Sequence, residues 1–252
     1  MKHTTYFYQT CAFTLFLFFL ALSVNAQDKQ ALSIIRAVDA QAKTDSSKLS
    51  FTMAIRQTEN AESRVFSLTS LENAQGDSVI EFLSPKTVRG LKILTKGNSS
   101  WVFFPSTGRI RKIGGSSRSG SVQGVGGDFS YDDLGSNSWE ADYVFSLETT
   151  TTTEWILHGK RKHAEAPYDE VRLTVSQGNG LVTSAAFSLE KEGGLYKELN
   201  LSEFRDFSGQ TRAGKLVMKT LSKGSITEVT LDHAEFNIPL HNDLFDPSRF
   251  SR

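Results

Sequence analysis

Apolar side chains recur at helical spacing in one segment near the start of the chain. Within residues 28–43 the regularly spaced apolar positions are Leu32, Ile35, Val38 and Ala42. Asp28 stands at the beginning of this segment, where the helix dipole favours an acidic group. The pattern therefore predicts one amphipathic helix over residues 28–43.

From about residue 50 onward the apolar period changes to two, which is the period of a β-strand. Phe51, Met53 and Ile55 alternate with smaller or polar neighbours, and similar runs recur in the C-terminal half of the chain. Glycine-containing turns separate these runs at intervals of about 10 to 14 residues. This spacing is typical of an antiparallel meander, and it predicts about ten or eleven strands.

One segment interrupts the predicted meander near its middle. Residues 114–127 are rich in glycine, which does not favour a regular strand. The next residues, 128–134, begin with an acidic group suited to a helix start and carry Phe129, Tyr131 and Leu134. The sequence therefore predicts a short helix on a flexible, glycine-rich strap.

The first 26 residues are typical of a secretory signal. Lys2 and His3 form a basic start, residues 11–24 form an apolar or hydroxyl-bearing run, and Ala26 ends a short segment that a signal peptidase reads. The run is shorter than a membrane-spanning helix requires. We expect cleavage after Ala26 and a single exported domain over residues 27–252, with an uncleaved membrane anchor as the alternative.

Composition narrows the class of function. The 28 Lys and Arg residues balance the 28 Asp and Glu residues, which argues against a general nucleic-acid binder. The single cysteine lies within the predicted signal, so the exported chain has no thiol chemistry. The histidines lack metal-ligand spacing, and neither a nucleophile elbow nor a phosphate loop occurs. We therefore expect no cofactor, no metal and no catalytic site.

The balanced net charge conceals two opposed blocks. Residues 82–127 contain eight cations and no acid, whereas residues 128–159 contain seven acids and no Lys or Arg. One interpretation is that the blocks form neighbouring strands whose exposed faces pair. The other is that an acidic flap closes over a basic strand edge and can be released.

The segment Trp101-Val-Phe-Phe-Pro105 places large side chains on both faces of one predicted strand. An open antiparallel sheet has to cover its concave face. Aromatic residues either fill that face as core or line a cavity beneath the flap, and both interpretations stay open.

Four short segments single out a family. They are Phe82-Leu-Ser-Pro-Lys-Thr-Val-Arg-Gly90, Trp101-Val-Phe-Phe-Pro-Ser-Thr-Gly-Arg-Ile-Arg-Lys-Ile113, Ser117-Arg-Ser-Gly-Ser121 and Asp128-Phe-Ser-Tyr-Asp-Asp-Leu134. Together they resemble the outer membrane lipoprotein-sorting protein family, the larger relatives of the periplasmic lipoprotein carrier LolA. The resemblance implies a mainly β fold, namely an incomplete antiparallel β-barrel wrapped around the N-terminal helix and a short helical lid, with a hydrophobic cavity between them.

The same resemblance implies a periplasmic carrier of lipid or acylated lipoprotein. An inner-membrane exporter and an outer-membrane acceptor are its candidate partners, and no nucleic acid is involved. The residues expected to form the lid and line the cavity are Phe129, Tyr131, Leu134, Trp101, Phe103, Phe51, Met53 and Ile55. The residues expected to meet a headgroup or latch the lid are Arg89, Arg109, Arg111, Arg118 and Asp128, with pairing of the arginines to the acidic block as the alternative.

Two other functions stay open from the sequence. One is a periplasmic sensor or regulatory module that binds a lipoprotein or membrane-protein partner, and the other is a secreted enzyme with an unrecognised site. An incomplete barrel also leaves exposed strand edges, which invite pairing with another chain. The threonine run at residues 149–153 is a candidate for one such edge.

Overall fold

A computed structural model of the protein describes residues 28–135 and 138–251. The predicted signal lies outside the described residues. Within the described ranges, no helix is both long enough and apolar enough to cross a membrane.

The chain is helical from residue 28 to residue 42 (α1), and a second short helix, α2, follows at Trp139–Asp142. The strands are β1 (Ser46–Arg56), β2 (Arg64–Asn73), β3 (Ser78–Ser84), β4 (Lys92–Lys96), β5 (Ser99–Phe104), β6 (Arg109–Ile113), β7 (Ser121–Val122), β8 (Gly126–Ser130), β9 (Tyr143–Thr150), β10 (Glu154–Arg161), β11 (Glu170–Ser176), β12 (Val182–Leu189), β13 (Gly194–Ser202), β14 (Arg205–Phe207), β15 (Gln210–Arg212), β16 (Lys215–Thr220) and β17 (Ser225–Phe236). Single 3-10 turns lie at Gly115–Ser119, Tyr131–Leu134, Glu190–Glu192 and Asn242–Phe245.

Thirteen strands form one antiparallel sheet in the order β6-β5-β4-β3-β2-β1-β17-β16-β13-β12-β11-β10-β9. The sheet is curved but does not close into a barrel, so β6 and β9 are its two edges. This confirms the predicted mainly β fold with an incomplete barrel. The described residues contain more strands than the ten or eleven predicted, because short strands such as β4 and β6 are only five residues long.

Helix α1 packs on the concave face of one half of the sheet. Its buried side chains, Ala31, Ile34, Ile35 and Val38, contact a cluster from β9 to β13 and Met218 of β16. The helix is therefore present as predicted, and two of its four predicted apolar positions, Ile35 and Val38, are buried. The other two positions are not buried, because Leu32 is 37% exposed and Ala42 is also exposed.

The other half of the concave face, from β1 to β6, is covered by the strap. Val122, Val125 and Tyr131 from the strap region join Ile55, Val102 and their neighbours in a second buried cluster. A third cluster lies on the convex face, where Phe245 and Phe250 of the C-terminal segment cover Val79 and Leu94. The C-terminal segment thus serves as a cover for the outer side of the sheet.

The strap contains regular structure that the sequence did not predict. Strands β7 and β8 pair as a small antiparallel hairpin, and Gly124, Gly126 and Gly127 take positive φ angles within it. The predicted helix start at Asp128 is wrong, because Asp128 lies in β8. The helical turn begins at Tyr131, where Ser130 and Asp133 form a reciprocal capping box.

The two charge blocks are not neighbouring strands, so their predicted pairing is wrong. The basic block reaches one edge of the sheet at β6, and the acidic block continues into the opposite edge at β9. Arg118 and Asp132 form the one ion pair between the blocks among the described residues, at 2.8 Å. Other members pair locally, as Lys96 does with Asp77. The threonine run begins at the end of edge strand β9, where it was expected.

Candidate functional site

The strap crosses the concave face and is fastened to β17 at Asp128. The Asp128 side chain is buried, and its carboxylate accepts hydrogen bonds from the hydroxyls of Ser225 and Thr227, the latter at 2.7 Å. The backbone N–H of Asp128 donates back to Thr227 Oγ1 at 2.9 Å. Asp128 is therefore an anchor of the strap, and it forms no ion pair with an arginine among the described residues.

Gly127 permits this close approach. A Cβ atom built at Gly127 lies only 2.9 Å from both Ile55 Cδ1 and Thr227 Oγ1, and its φ angle is +85°. A side chain at this position would therefore push β8 away from β1 and β17.

A second fastening lies at the turn after β8. Lys197 of β13 donates a hydrogen bond to Asp133 Oδ2 at 2.9 Å, and both side chains are almost fully buried. The Tyr168 hydroxyl donates to the other carboxylate oxygen at 2.6 Å, and Ser130 donates through its backbone N–H and its hydroxyl. Burial and the neighbouring Asp133 raise the pKa of Tyr168, so this phenol stays protonated and serves as a donor.

Asp132 forms a third, weaker fastening through Arg118. Arg118 Nε lies 2.8 Å from Asp132 Oδ1, and both side chains are largely buried. Burial raises the pKa of Asp132, with the positive charge of Arg118 acting in the opposite direction. The ionised form of this carboxylate is therefore less stable, relative to its protonated form, than it would be in an exposed aspartate.

Beside the turn lies an apolar crevice of about 220 Å³. One wall consists of Phe129 of β8 with Trp139 and Tyr143 at α2, and the opposite wall belongs to β12, β13 and β16. The opposite wall presents Phe187, Leu199, Leu216 and Met218. Asp132, Asp133 and Asp142 also line the crevice, and burial raises the pKa of Asp142 as well.

A larger, polar pocket of about 690 Å³ adjoins this crevice. The two share Asp132 and Pro167 as lining residues, so they meet at the turn. The polar pocket lies between the end of β6 and the loops that precede β11 and follow β12. Its charged lining residues carry both signs, and they are Lys112, Arg118, Arg161, Lys191, Asp132, Glu165, Asp169 and Glu190.

The predicted cavity residues fall into three places. Phe129 lines the crevice. Tyr131 and Leu134 pack instead with Phe51, Met53 and Ile55 in the core beneath the strap, and the Tyr131 hydroxyl accepts a hydrogen bond from the backbone N–H of Gln123 at 2.9 Å. The strap therefore divides the concave face and fills much of the hollow that was expected to be vacant.

Trp101 and Phe103 lie on the opposite side of the sheet from the other predicted cavity residues. They pack in the convex cluster with Phe245 and Phe250, whereas Val102 between them is buried in the concave cluster. Side chains alternate between the two faces of the sheet along β5, so Trp101 and Phe103 lie on the face opposite to Val102. Large groups on both faces of this strand gave no indication of which face was concave.

The predicted arginines also separate. Arg118 lines the polar pocket. Burial raises the pKa of the Tyr131 hydroxyl, and the positive charge of nearby Arg111 acts in the opposite direction. Arg89 and Arg109 are exposed on the outer corner of the sheet, away from the crevice.

Apart from Phe129, sequence reasoning missed the residues that hold the turn and form the crevice. Lys197 resembles an ordinary polar position of a strand, and Tyr168 lies in a loop, so neither carries a local signal. The same is true of Met218 and Trp139, whose roles depend on strand order. No group of residues suited to hold a metal ion occurs in the described parts of the chain.

Comparison with known proteins places these features in context. A family model described as "Uncharacterized protein" matches residues 74–252. No curated protein matches the sequence.

Three solved structures share the fold. A protein domain named as outer membrane lipoprotein-sorting, from Vibrio parahaemolyticus, has a TM-score of 0.77 and 20% identity, over 89% of this chain and 100% of that chain. A DUF1329 family protein from Desulfovibrio piger has a TM-score of 0.79 and 21% identity, over 89% and 98%. A LolA superfamily protein from Nitrosomonas europaea has a TM-score of 0.71 and 21% identity, over 86% and 97%. The resemblance found in the sequence is thereby confirmed at the level of the fold.

Proposed function

We propose a carrier function for this protein, which belongs to the uncharacterized protein family matched over residues 74–252 and has the LolA-like fold of the outer membrane lipoprotein-sorting proteins. In this proposal the protein works in the periplasm and binds the acyl chains of a lipid or a lipoprotein for transfer toward the outer membrane. The observation that carries the proposal is the apolar crevice between Phe129 and the β12–β16 wall, which opens at a polar pocket.

The free-energy cost of moving an acyl chain through water requires a carrier with an apolar binding site. Exposing an acyl chain to water costs roughly 0.8 kcal/mol per methylene, so a sixteen-carbon chain costs on the order of 12 kcal/mol. A carrier has to offset most of that cost and still release its cargo. An apolar wall offsets the cost of exposing the acyl chain, and a strap that can move allows the cargo to be released.

The crevice has to enlarge when cargo binds. Its volume of about 220 Å³ lies below the roughly 300 to 1,000 Å³ of typical ligand sites. Residues 131–135 and 138–142 form its movable wall, since side-chain contacts rather than sheet pairing hold them. These contacts are the Lys197–Asp133 and Arg118–Asp132 pairs and the hydrogen bonds of residues 138–140 to Asp39 of α1. Tyr131 and Leu134 would leave the concave core as this wall moves, exposing Phe51, Met53 and Ile55 to the acyl chain.

The headgroup end of the cargo lies at the polar pocket in this proposal. Arg118 lines that pocket, and its guanidinium matches the geometry of a phosphate or an ester oxygen. Opening the turn separates Arg118 from Asp132 and frees it for this contact. Candidate partners are an inner-membrane exporter that delivers cargo and an outer-membrane acceptor that receives it.

The first experiment tests the crevice with a fluorescent fatty-acid probe. Leu199→Trp places a larger group in the crevice wall, and Phe129→Ser removes apolar area from the opposite wall. We expect both variants to weaken probe binding by about tenfold, since the loss of a large apolar contact amounts to about 1.5 kcal/mol or more. Phe207→Ser, at a half-buried aromatic residue outside the crevice, is the matched control and should bind as the wild type does.

The second experiment identifies the natural cargo. Protein purified from the periplasm under native conditions is extracted, and acyl species are measured by mass spectrometry. We expect lipid or acylated peptide in the wild type and less of it in Leu199→Trp. A wild-type protein that holds no acyl species and does not bind the probe would exclude the carrier function.

A further inference from the structure

Five exposed cations lie together at one corner of the sheet. They belong to the edge strand β6 and to the loop between β3 and β4, and they are Lys86, Arg89, Arg109, Arg111 and Lys112. We call this group the basic corner. None of the five forms an ion pair among the described residues, whereas Lys92 and Lys96 nearby pair with Glu81 and Asp77.

The structure brings these residues together through two adjoining loops. Arg109 lies opposite Phe104 across the β5–β6 turn. A Cβ atom built at Gly90 would lie 3.5 Å from Pro105 Cβ, so the loop that carries Lys86 and Arg89 contacts that turn. Arg89 is oriented by its Nε, which donates to the backbone oxygen of Leu83 at 3.0 Å.

Two exposed apolar side chains accompany the cations. Leu83 at the end of β3 is 43% exposed, and Ile110 in the middle of the basic edge strand is 37% exposed. Ile110 and Lys112 pair with Phe103 and Trp101, so they lie on the convex side. Arg109 and Arg111 pair with Phe104 and Val102 and lie on the concave side, so the edge strand presents cations on both of its faces. The Lys112 ammonium lies over the Trp101 ring, 5.3 Å from its centroid, and the five cations have no acidic partner among the described residues. A corner that combines such cations with exposed apolar groups has the composition of a surface that meets an anionic lipid bilayer.

We propose that the basic corner docks the protein on an anionic phospholipid membrane. The cations lie above the phosphate layer, Leu83 and Ile110 enter the interface, and the free backbone N–H groups of β6 find acceptors among phosphates and water. Cations at three of the five positions of β6 oppose the addition of a partner strand at this edge, which favours a lipid surface over a protein strand. The acidic residues Glu59 and Glu62 lie in the turn between β1 and β2, at the same end of the sheet as the loop between β3 and β4.

The test is co-sedimentation of the full exported chain with vesicles that contain phosphatidylglycerol, compared with vesicles of phosphatidylcholine alone. We expect binding to the anionic vesicles only. Each cation contributes roughly fivefold near such a surface, so Lys86→Gln/Arg89→Gln/Arg109→Gln should weaken binding by roughly a hundredfold. High salt should have a similar effect, because the screening length falls from about 8 Å at physiological ionic strength to about 3 Å at 1 M.

Two further variants separate charge from apolar contact and from general net charge. Lys29→Gln/Lys219→Gln/Lys223→Gln removes three exposed cations elsewhere and should retain anionic-vesicle binding. Leu83→Ser/Ile110→Ser should weaken binding by a factor that does not change with salt. Equal binding by the two triple variants, equal binding to both kinds of vesicle, or capture of an acidic protein segment without vesicle binding would each overturn the proposal.

The docking proposal and the carrier proposal are tested independently. The basic-corner triple variant keeps the crevice intact, so we expect it to bind the fatty-acid probe as the wild type does. Leu199→Trp keeps the basic corner intact, so it should retain vesicle binding while it loses the probe.

Discussion

Lys197 and Asp133 form a buried ion pair between strand β13 and the turn that follows β8, with side chains that are 4% and 7% exposed. The pair joins residues 64 positions apart in the sequence. It holds the one segment that must move if the crevice is to enlarge. Tyr168 and Ser130 occupy the remaining acceptor positions of the carboxylate, so the network is well satisfied in the closed state.

We predict that removing one partner of this pair destabilises the protein strongly. Lys197→Met leaves the Asp133 carboxylate buried without its counter-ion, and we expect a loss of about 3 to 5 kcal/mol in the free energy of unfolding. Urea denaturation measures the loss. Lys219→Met, at an exposed cation of the neighbouring strand β16, is the control and should change stability by less than about 0.5 kcal/mol.

The double variant Asp133→Asn/Lys197→Met provides the thermodynamic cycle for the pair. We expect it to lose less stability than the sum of the two single variants, because each single change leaves the other group unpaired. If the two losses simply add, the residues do not interact as described.

We predict that Gly127 cannot be replaced without loosening the strap. Gly127→Ala introduces a Cβ at 2.9 Å from Ile55 and Thr227, and it also forces alanine into a positive φ angle. We expect a loss of about 2 to 4 kcal/mol, with faster proteolytic cleavage of the strap. Gly124→Ala in the same strap has a similar φ of +86° but its nearest neighbour lies 4.0 Å away, so it should lose only the backbone contribution of about 1 kcal/mol. Equal losses in the two variants would show that the close packing of β8 against Ile55 and Thr227 does not add to the loss in the free energy of unfolding.

Much of the secondary structure could be predicted from the sequence, because helices and strands are recognised by the spacing of apolar residues within one segment. The helix over residues 28–42 and the alternating strands follow from spacing that a single segment contains. The break in the pattern at the glycine-rich strap was also visible. Its internal hairpin was not, because glycine composition is compatible with both a loose loop and a tightly turned strand pair.

The candidate site was less accessible, because its geometry depends on contacts between distant segments. Trp101 has apolar neighbours on both faces of its strand, and only the arrival of Phe245 and Phe250 from the C-terminal segment determines which face is covered from outside. Asp128 resembled a helix start by its local sequence. Its actual partners, Ser225 and Thr227, lie almost 100 residues away.

We predict an unusual pH dependence at Asp132. Burial raises its pKa in the folded protein, so the native state holds the proton more tightly than the unfolded chain does. The contribution of this group to stability is therefore fully present below the unfolded pKa of about 3.9, and it is lost as pH rises through the folded value. Asp132→Asn resembles the protonated form at every pH. We expect the stability of the variant relative to the wild type to increase from acid to neutral pH.

Glu140 provides a control of the opposite sign. Its pKa is lowered by the hydrogen bond from Arg36, so its contribution is present above the unfolded pKa and is lost as pH falls through the folded value. Glu140→Gln should therefore be less stable than the wild type at neutral pH and equal to it in acid. Urea denaturation at neutral and acid pH measures both variants. A relative stability of Asp132→Asn that falls as pH rises would mean that the Arg118 pair outweighs burial.

The last prediction concerns the face on which Trp101 lies. Phe250 is 1% exposed and packs with Leu94 on the convex side, so Phe250→Ala should lower the free energy of unfolding by about 3 to 5 kcal/mol. Leu83→Ala, at an exposed position of the same side, should lose far less. Trp101→Phe should leave the affinity for the fatty-acid probe unchanged, because its ring faces away from the crevice. If Trp101→Phe weakened the probe as much as Phe129→Ser does, the acyl chain would have to bind on the convex face beneath the C-terminal segment.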